Sequence, residues 1–494
     1  MSNAVAPAAS GGDEAARELQ LALARLGANE AAAALVHARR AAELDETSAL
    51  AWLVVGAALN GLGQPEPAAL ALERSIAIDP GWAAAHFSLG LSYLELDRLA
   101  PAETCLLRAV ALDPANKEAH AALSTLYCRA DRFEAGRESA LAALKLDPHL
   151  LTAHQNLAAI FAREGRDDEA RRHRDLAYGT RNLFVSSAPD ALQHVLVLMS
   201  ADAGNTPDRY LLPADRYSRV RWFIEYAREA QFAALPDFDV VFNAIADPDL
   251  TARTAPNVAR FLETCTRPVL NPPDRIGRTS RDQTAGLLTG IEGLVVPQTA
   301  RIEAGALATH GLVKAARLAG VAPPFLVRPV GSHGGQGLAL ITDGDDSVAI
   351  GEVYVTAFHD FRSADGLYRK YRMIFVDRRP LPYHLAIGPC WMVHYEKSGT
   401  AEHPDRLAEE DRFLADPDAA LGAAAMAAIR AIGQAIDLDF CGLDFSIAPD
   451  GRVLVFEANA TMLVHPELAD GPLAHKNPAI ETIFTAFRAM LSGT

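Results

Sequence analysis

Across the first third of the chain, small side chains return at a fixed spacing of 34 residues, with larger apolar ones between them. Ala34, Ala68, Ala102, Gly136 and Ala170 make one column, and Ala41, Ser75, Ala109, Ala143 and Ala177 make a second. A third reads Gly56, Gly90, Ser124 and Ala158. Asp-Pro pairs at Asp79-Pro80, Asp113-Pro114 and Asp147-Pro148 keep the same interval, and Asp45 stands one period upstream. Such a period predicts one helical hairpin per unit, because antiparallel helices approach closely only where the facing residues are small. Trp52, Leu89, Tyr93, Tyr127 and Phe161 fill the gaps, and proline ends the second helix of each unit.

Past Arg181 the rhythm stops and short apolar runs begin. Residues 194–199, 239–246 and 267–271 predict strands. Helices expected over 219–234 and 255–264 separate them, giving a small parallel α/β layer. Then come an apolar stretch at 293–297, a helix at 305–318, and two strands within 324–342 joined by a glycine-rich loop. Antiparallel strands are predicted over 351–387, turning at 377–380, and a long helix over 417–435. The chain closes on a hairpin, 441–447 and 452–459, turned at Ala448-Pro449-Asp450-Gly451.

The repeat columns resemble the tetratricopeptide repeat: Trp52 with Gly56, Gly90 with Tyr93, Ala102 with Leu106, and Pro114 fall where that pattern wants them. The likeness covers residues 13–184, about five units. It implies an all-α superhelix in which these residues pack and a concave surface receives a protein or peptide.

Composition narrows the rest. A net charge of −16 argues against broad attraction to nucleic acid or anionic membrane. The five cysteines (Cys105, Cys128, Cys265, Cys390, Cys441) form no CxxC pair, so neither a disulfide framework nor a zinc site is expected. No signal-peptide pattern opens the chain and no apolar run reaches the roughly 18–20 residues of a bilayer span, so a cytoplasmic protein is expected.

Candidate chemistry gathers in the last part. Side chains alternate along a strand, so Glu457 and Asn459 share a face, and the final turn sets Asp444 nearly opposite Glu457. Two carboxylates and an amide oxygen suit Mg²⁺, which would remove the repulsion between the acids. A solvated strand end with ordinary surface acids is the alternative. The loop Gly331-Ser332-His333-Gly334-Gly335-Gln336-Gly337 lets backbone N–H groups approach an anion, although a flexible turn reads the same way. It joins strand to strand and no GxxxxGK[ST] occurs, which excludes a P-loop. Arg328, Lys370 and Arg372 sit in apolar strands and need anionic partners, either within the protein or on a triphosphate.

Together these features resemble the ATP-grasp superfamily, with the glutathione synthetase and RimK-like ligase fold, over about residues 190–491. The resemblance implies that Gly331, Gly334, Gly335 and Gly337 cover phosphates and that Asp444, Glu457 and Asn459 bind Mg²⁺. It implies catalytic contacts from Arg372 and Lys370 to phosphate oxygens, with Arg328 alongside. Tyr354, Val355, Thr356 and Phe358 would form a hinge strand whose backbone holds adenine, with Asp360 or Asp365 near the ribose. Two residues depart from the family: Arg328 stands where lysine is usual, and Ala357 where many members are acidic. His384, His394 and His465 read as structural or as walls to an acceptor substrate.

The fold class expected is therefore α+β and multidomain. Residues 1–12 are read as disordered, 13–184 as the solenoid, 188–275 as a pre-ATP-grasp α/β domain, 276–350 as the small ATP-grasp subdomain and 351–494 as its C-terminal subdomain, with mainly antiparallel sheets. The expected activity is an ATP- and Mg²⁺-dependent ligase acting on small-molecule or peptide carboxylates and amines, with the repeats recruiting a peptide or protein. A kinase phosphorylating a hydroxyl and an inactive interaction scaffold are the alternatives.

Overall fold

The computed structural model describes residues 11–28, 30–188, 190–202, 204–332, 335–342, 351–395, 398–468 and 470–493, which form two compact units dividing after Asn182. The first unit is five helical hairpins. Their helices are Gly11–Gly27 with Ala31–Leu44, Ala49–Gly61 with Pro65–Ile78, Ala83–Glu95 with Leu99–Leu112, Lys117–Arg129 with Phe133–Leu146, and Leu151–Arg163 with Asp167–Tyr178. Helix begins at Gly11, so residues 11 and 12 belong to the array rather than to a disordered segment; residues 1–10 lie outside the described residues.

All three columns of small residues are buried. A Cβ on Gly56 would stand 2.4 Å from Cγ of Leu72, and one on Gly90 2.7 Å from Leu106, so no larger residue fits without displacing the facing helix. Ser75 is tolerated because its hydroxyl donates to the carbonyl of Ala49 at 2.8 Å. The first four hairpins are closed by aspartate: Asp45, Asp79, Asp113 and Asp147 cap the second helices and accept from the backbone N–H two residues on.

The second unit holds three sheets. The first has strands β1 (Leu183–Ser186), β2 (Gln193–Met199), β3 (Tyr217–Phe223), β4 (Val240–Asn243) and β5 (Val269–Leu270), in the order β1-β3-β2-β4-β5. All neighbours are parallel except β1, which lies antiparallel on β3. The helix expected over 219–234 is mostly absent. Its first part is β3, in which Val220 and Trp222 pack on one face and Tyr217 and Arg219 on the other. A strand between two others buries both faces, and that tertiary demand overrides local preference. β1 also places the start of this layer at Leu183, ahead of the expected 188.

Strands β6 (Leu294–Val295), β7 (Thr299–Ile302), β8 (Phe325–Pro329), β9 (Ala339–Ile341) and β10 (Val353–Ala357) follow, then β11 (Tyr368–Val376), β12 (Arg379–Gly388), β13 (Phe440–Ile447) and β14 (Val453–Asn459). One sheet is β7-β10-β8-β9, wholly antiparallel; the other is β12-β11-β13-β14-β6, with only β6 parallel to its neighbour. The expected border at 350/351 is thus corrected: β10 pairs back with β7 and β8, while β6 crosses forward to β14. Val353 and Val355 carry β10 into the apolar core of the smaller sheet, and Leu294 brings β6 into that of the larger. Gly311 and Gly422, both with positive φ, split the helices expected at 305–318 and 417–435. Asp377 and Arg378 both take left-handed backbone in the two-residue turn joining β11 to β12.

Candidate functional site

The larger sheet lines up four side chains in one cross-strand row. Register pairs His384 (β12) with Arg372 (β11), Arg372 with Asp444 (β13), and Asp444 with Glu457 (β14). The row is flanked by two bulges, which leave Tyr383 and Phe456 without cross-strand partners. Asn459 follows on the same face as Glu457, opposite Gly442; there a Cβ would stand 2.1 Å from the sulfur of Met462. The absent side chain lets the segment after β14 fold back over β13.

Asp444 is buried and saturated by cations. Arg372 donates to its two oxygens at 2.6 and 2.8 Å, and Lys370 to Oδ2 at 3.0 Å. Burial alone would raise the Asp444 pKa, but Arg372 and Lys370 overcome it and hold the carboxyl well below its usual range. Glu457 is treated likewise by Arg281, which pairs with Oε2, and by Arg328 at 3.5 Å; against burial, they bring it down to about 2. Arg328 is the less comfortable partner. Burial and the adjacent Arg281 lower its pKa, and among the described residues its Nε has no hydrogen-bond partner. Among the described residues, Arg281, Arg328, Lys370 and Arg372 surround Asp444 and Glu457, while Asp247 and Asp249 line the adjoining cleft.

A cleft opens beside this row, between it and the smaller sheet. Asp249, Arg281, Gly331, Tyr354, Thr356 and Glu457 are among its walls. Gly331, Gly335 and Gly337 all adopt positive φ in the loop between β8 and β9, and Gly335 lies so close to His394 that a Cβ would be 2.6 Å from the imidazole. Gly334 lies outside the described residues.

The expected hinge needs correction. β10 is an interior strand paired on both edges, so the backbone of Tyr354, Val355 and Thr356 is committed to the sheet. The N–H groups of Ala357 and Phe358 go to the carbonyls of Gln298 and Pro324. What these residues offer the cleft is side chains, those of Tyr354 and Thr356, while Val355 points into the core. Asp365 is also spoken for: Arg369 and the N–H of Leu367 hold its pKa down to about 2. Asp360 caps a local turn by accepting from the N–H of Arg362.

Sequence reasoning brought together Asp444, Glu457, Asn459, Lys370, Arg372 and Arg328 but missed Arg281 and Asp249. Arg281 opens a short helix, Arg281–Leu288, after Ser280, and nothing local marks it as a partner of Glu457. Of the histidines, His384 joins the row, His394 abuts the glycine loop, and His465 bonds the carbonyl of Pro466. Among the described residues no three His, Cys, Asp or Glu side chains form a metal-ligating cluster; the candidate set is two carboxylates and an amide. No helix of the described residues is long and apolar enough to cross a membrane.

Residues 83–116 match the family model of the tetratricopeptide repeat. Among solved structures, a MamA fragment from Desulfovibrio magneticus RS-1 is similar at 24% identity, covering 33% of this chain and 93% of that one, with a TM-score of 0.31. A Pseudomonas aeruginosa pilF structure shares 22% identity over 34% of this chain and 76% of its own, at a TM-score of 0.31. A thermophilic tetratricopeptide-repeat protein of Thermus thermophilus shares 21% over 33% and 89%, at 0.30. No curated protein matches the chain. The matched repeat is the third of the five hairpins, and the first unit resembles a tetratricopeptide-repeat array.

Proposed function

We propose that the unit beginning at Leu183 is an ATP-grasp-type ligase and that the repeat module recruits a peptide or protein carrying one of its substrates. The observation that carries this reading is the cation–carboxylate row at the edge of the cleft. Its four cations complement the phosphates of a magnesium-bound nucleoside triphosphate. Oxygen donors of two carboxylates and an amide fit Mg²⁺, so Asp444, Glu457 and Asn459 would hold it. The metal supplies charge neutralisation on the phosphates when bound.

Arg372 and Lys370 would turn from Asp444 toward phosphate oxygens, and Arg328 would join them. Gly331, Gly335 and Gly337 would lay backbone N–H groups over the phosphates, because no side chain stands in the way. A substrate carboxylate would take the terminal phosphoryl group, and an amine would then displace phosphate to leave an amide. No protein nucleophile is required, so the work of the chain is positioning and electrostatics.

Calorimetric titration of ATP with and without Mg²⁺ tests the first step: tight binding only with the metal is expected, and no binding in either arm overturns the reading in favour of a scaffold. Incubation with ATP, Mg²⁺ and pooled acids, amines and peptides, read by mass, then separates amide from phosphoester. A chain lacking residues 1–182 that retained full kcat/KM would remove the recruiting role of the repeats.

A further inference from the structure

A second row of side chains faces the first across the cleft. On the smaller sheet, register places Arg301 (β7) beside Tyr354 (β10), and Tyr354 beside Arg328 (β8). This row is fastened at both ends. At one, Arg328 reaches Glu457 at 3.5 Å. At the other, the Tyr354 hydroxyl lies 2.8 and 3.0 Å from the two oxygens of Asp249 and donates to that carboxylate, while Nη1 of Arg301 donates to it at 3.1 Å.

Asp249 belongs to a different layer. It sits in the 3₁₀ turn Pro248–Arg253 that follows β4, held there by its own N–H donating to Asp247 Oδ1 at 2.9 Å. Leu250 of the same turn underlies the glycine loop, 3.5 Å from where a Gly331 Cβ would stand. The Asp249 side chain is only 10% exposed and Tyr354 is 2% exposed, so water does not substitute for either partner. Burial, with Asp247 and Asp282 nearby, raises the Asp249 pKa, and burial with Asp249 beside it raises that of Tyr354. A shielded carboxylate with like-charged neighbours is costly to keep, and what it does here is bridge two layers.

We propose that Asp249 is a positioning residue of the cleft: by clamping Tyr354 and Arg301 it fixes the separation of the two sheets at which Arg328 stands opposite Glu457. The role in nucleotide binding rests on the reading given above; the clamp itself does not. The chain crosses between the smaller sheet and its surroundings at residues 296–298 and 358–367, so a side-chain contact at the far end of the row limits rotation about those two connections.

The test uses full-length D249N and Y354F; Y354F keeps the ring and loses only the hydroxyl. Without nucleotide, amide exchange in 325–329 and 353–357 should accelerate in both variants. With ATP and Mg²⁺, Kd and KM should rise about tenfold to a hundredfold, with kcat changing far less, as removal of a hydrogen bond to a charged group would give. The double variant should add little to either single one, because both break one contact. Unchanged exchange in both variants, or fully additive effects, would overturn the clamp. If the native chain binds no nucleotide, the proposed function fails and the exchange measurement still decides this inference.

Discussion

In the repeat module a polar side chain meets its partner about one repeat away, whereas in the cleft partners come from far along the chain. Ser75 reaches Ala49 across 26 residues, Ser92 reaches Asn60 across 32 and Arg129 reaches Leu94 across 35. Lys370 and Asp444 are 74 residues apart, Arg328 and Glu457 129, and Arg281 and Glu457 176. The contacts also differ in kind. The module's ion pairs lie mostly at its exposed surface, while the row consists of buried charges that satisfy one another. Loss of one partner should therefore be local and modest in the array, and large and pH-dependent in the row.

The largest expected effect is Asp444→Ala. It strands Arg372 and Lys370 without their counter-charge, which should cost about 3–5 kcal/mol in urea unfolding of the second unit. Calorimetry should show ATP binding lost with it; retention of both stability and binding would erase the contrast between the regions. Leu106→Ala, at a fully buried position against Gly90, should cost about 2–5 kcal/mol, confined to melting of the helical unit.

Acidification sharpens the comparison further. Asp444 and Glu457 are held below their ordinary values, so their stabilisation is complete above about pH 4.5 and is lost as pH falls toward 2. The stability of the second unit should fall by about 1 kcal/mol more between pH 6 and 3 than that of Asp444→Asn, in which that titration is removed. The smallest effect is His120→Ala, which removes a ring contact to the Pro114 carbonyl at 3.1 Å and should lower the stability of the array by about 0.5–1.5 kcal/mol in thermal melts.

His120 also shows what sequence reasoning passed over. Trp52, His86, His120 and His154 occupy one repeat position, and each ring bonds a carbonyl six residues back, at Glu46, Pro80, Pro114 and Pro148. Three of the four are histidines at the 34-residue spacing, so the column itself is legible in the sequence. The final hairpin was legible for a related reason. Alternation and a four-residue turn bring Asp444 within one residue of Glu457, and the bulge at Phe456 completes the pairing. The expected hinge failed because whether a strand has a free edge depends on which strands flank it, and β7 comes from more than 50 residues upstream.

Local periodicity therefore determined the helical hairpins, their packing columns and the pairing of the last two strands, since each depends on residues within about one repeat or one turn. Tertiary structure alone decided that β6 and β10 exchange sheets, that Arg281 reaches Glu457, and that Asp249 grips Tyr354 and Arg301. Those contacts join segments brought together only by the burial of sheet faces. Burial selects apolar faces over long distances but leaves no periodic trace of which polar group it will set beside which.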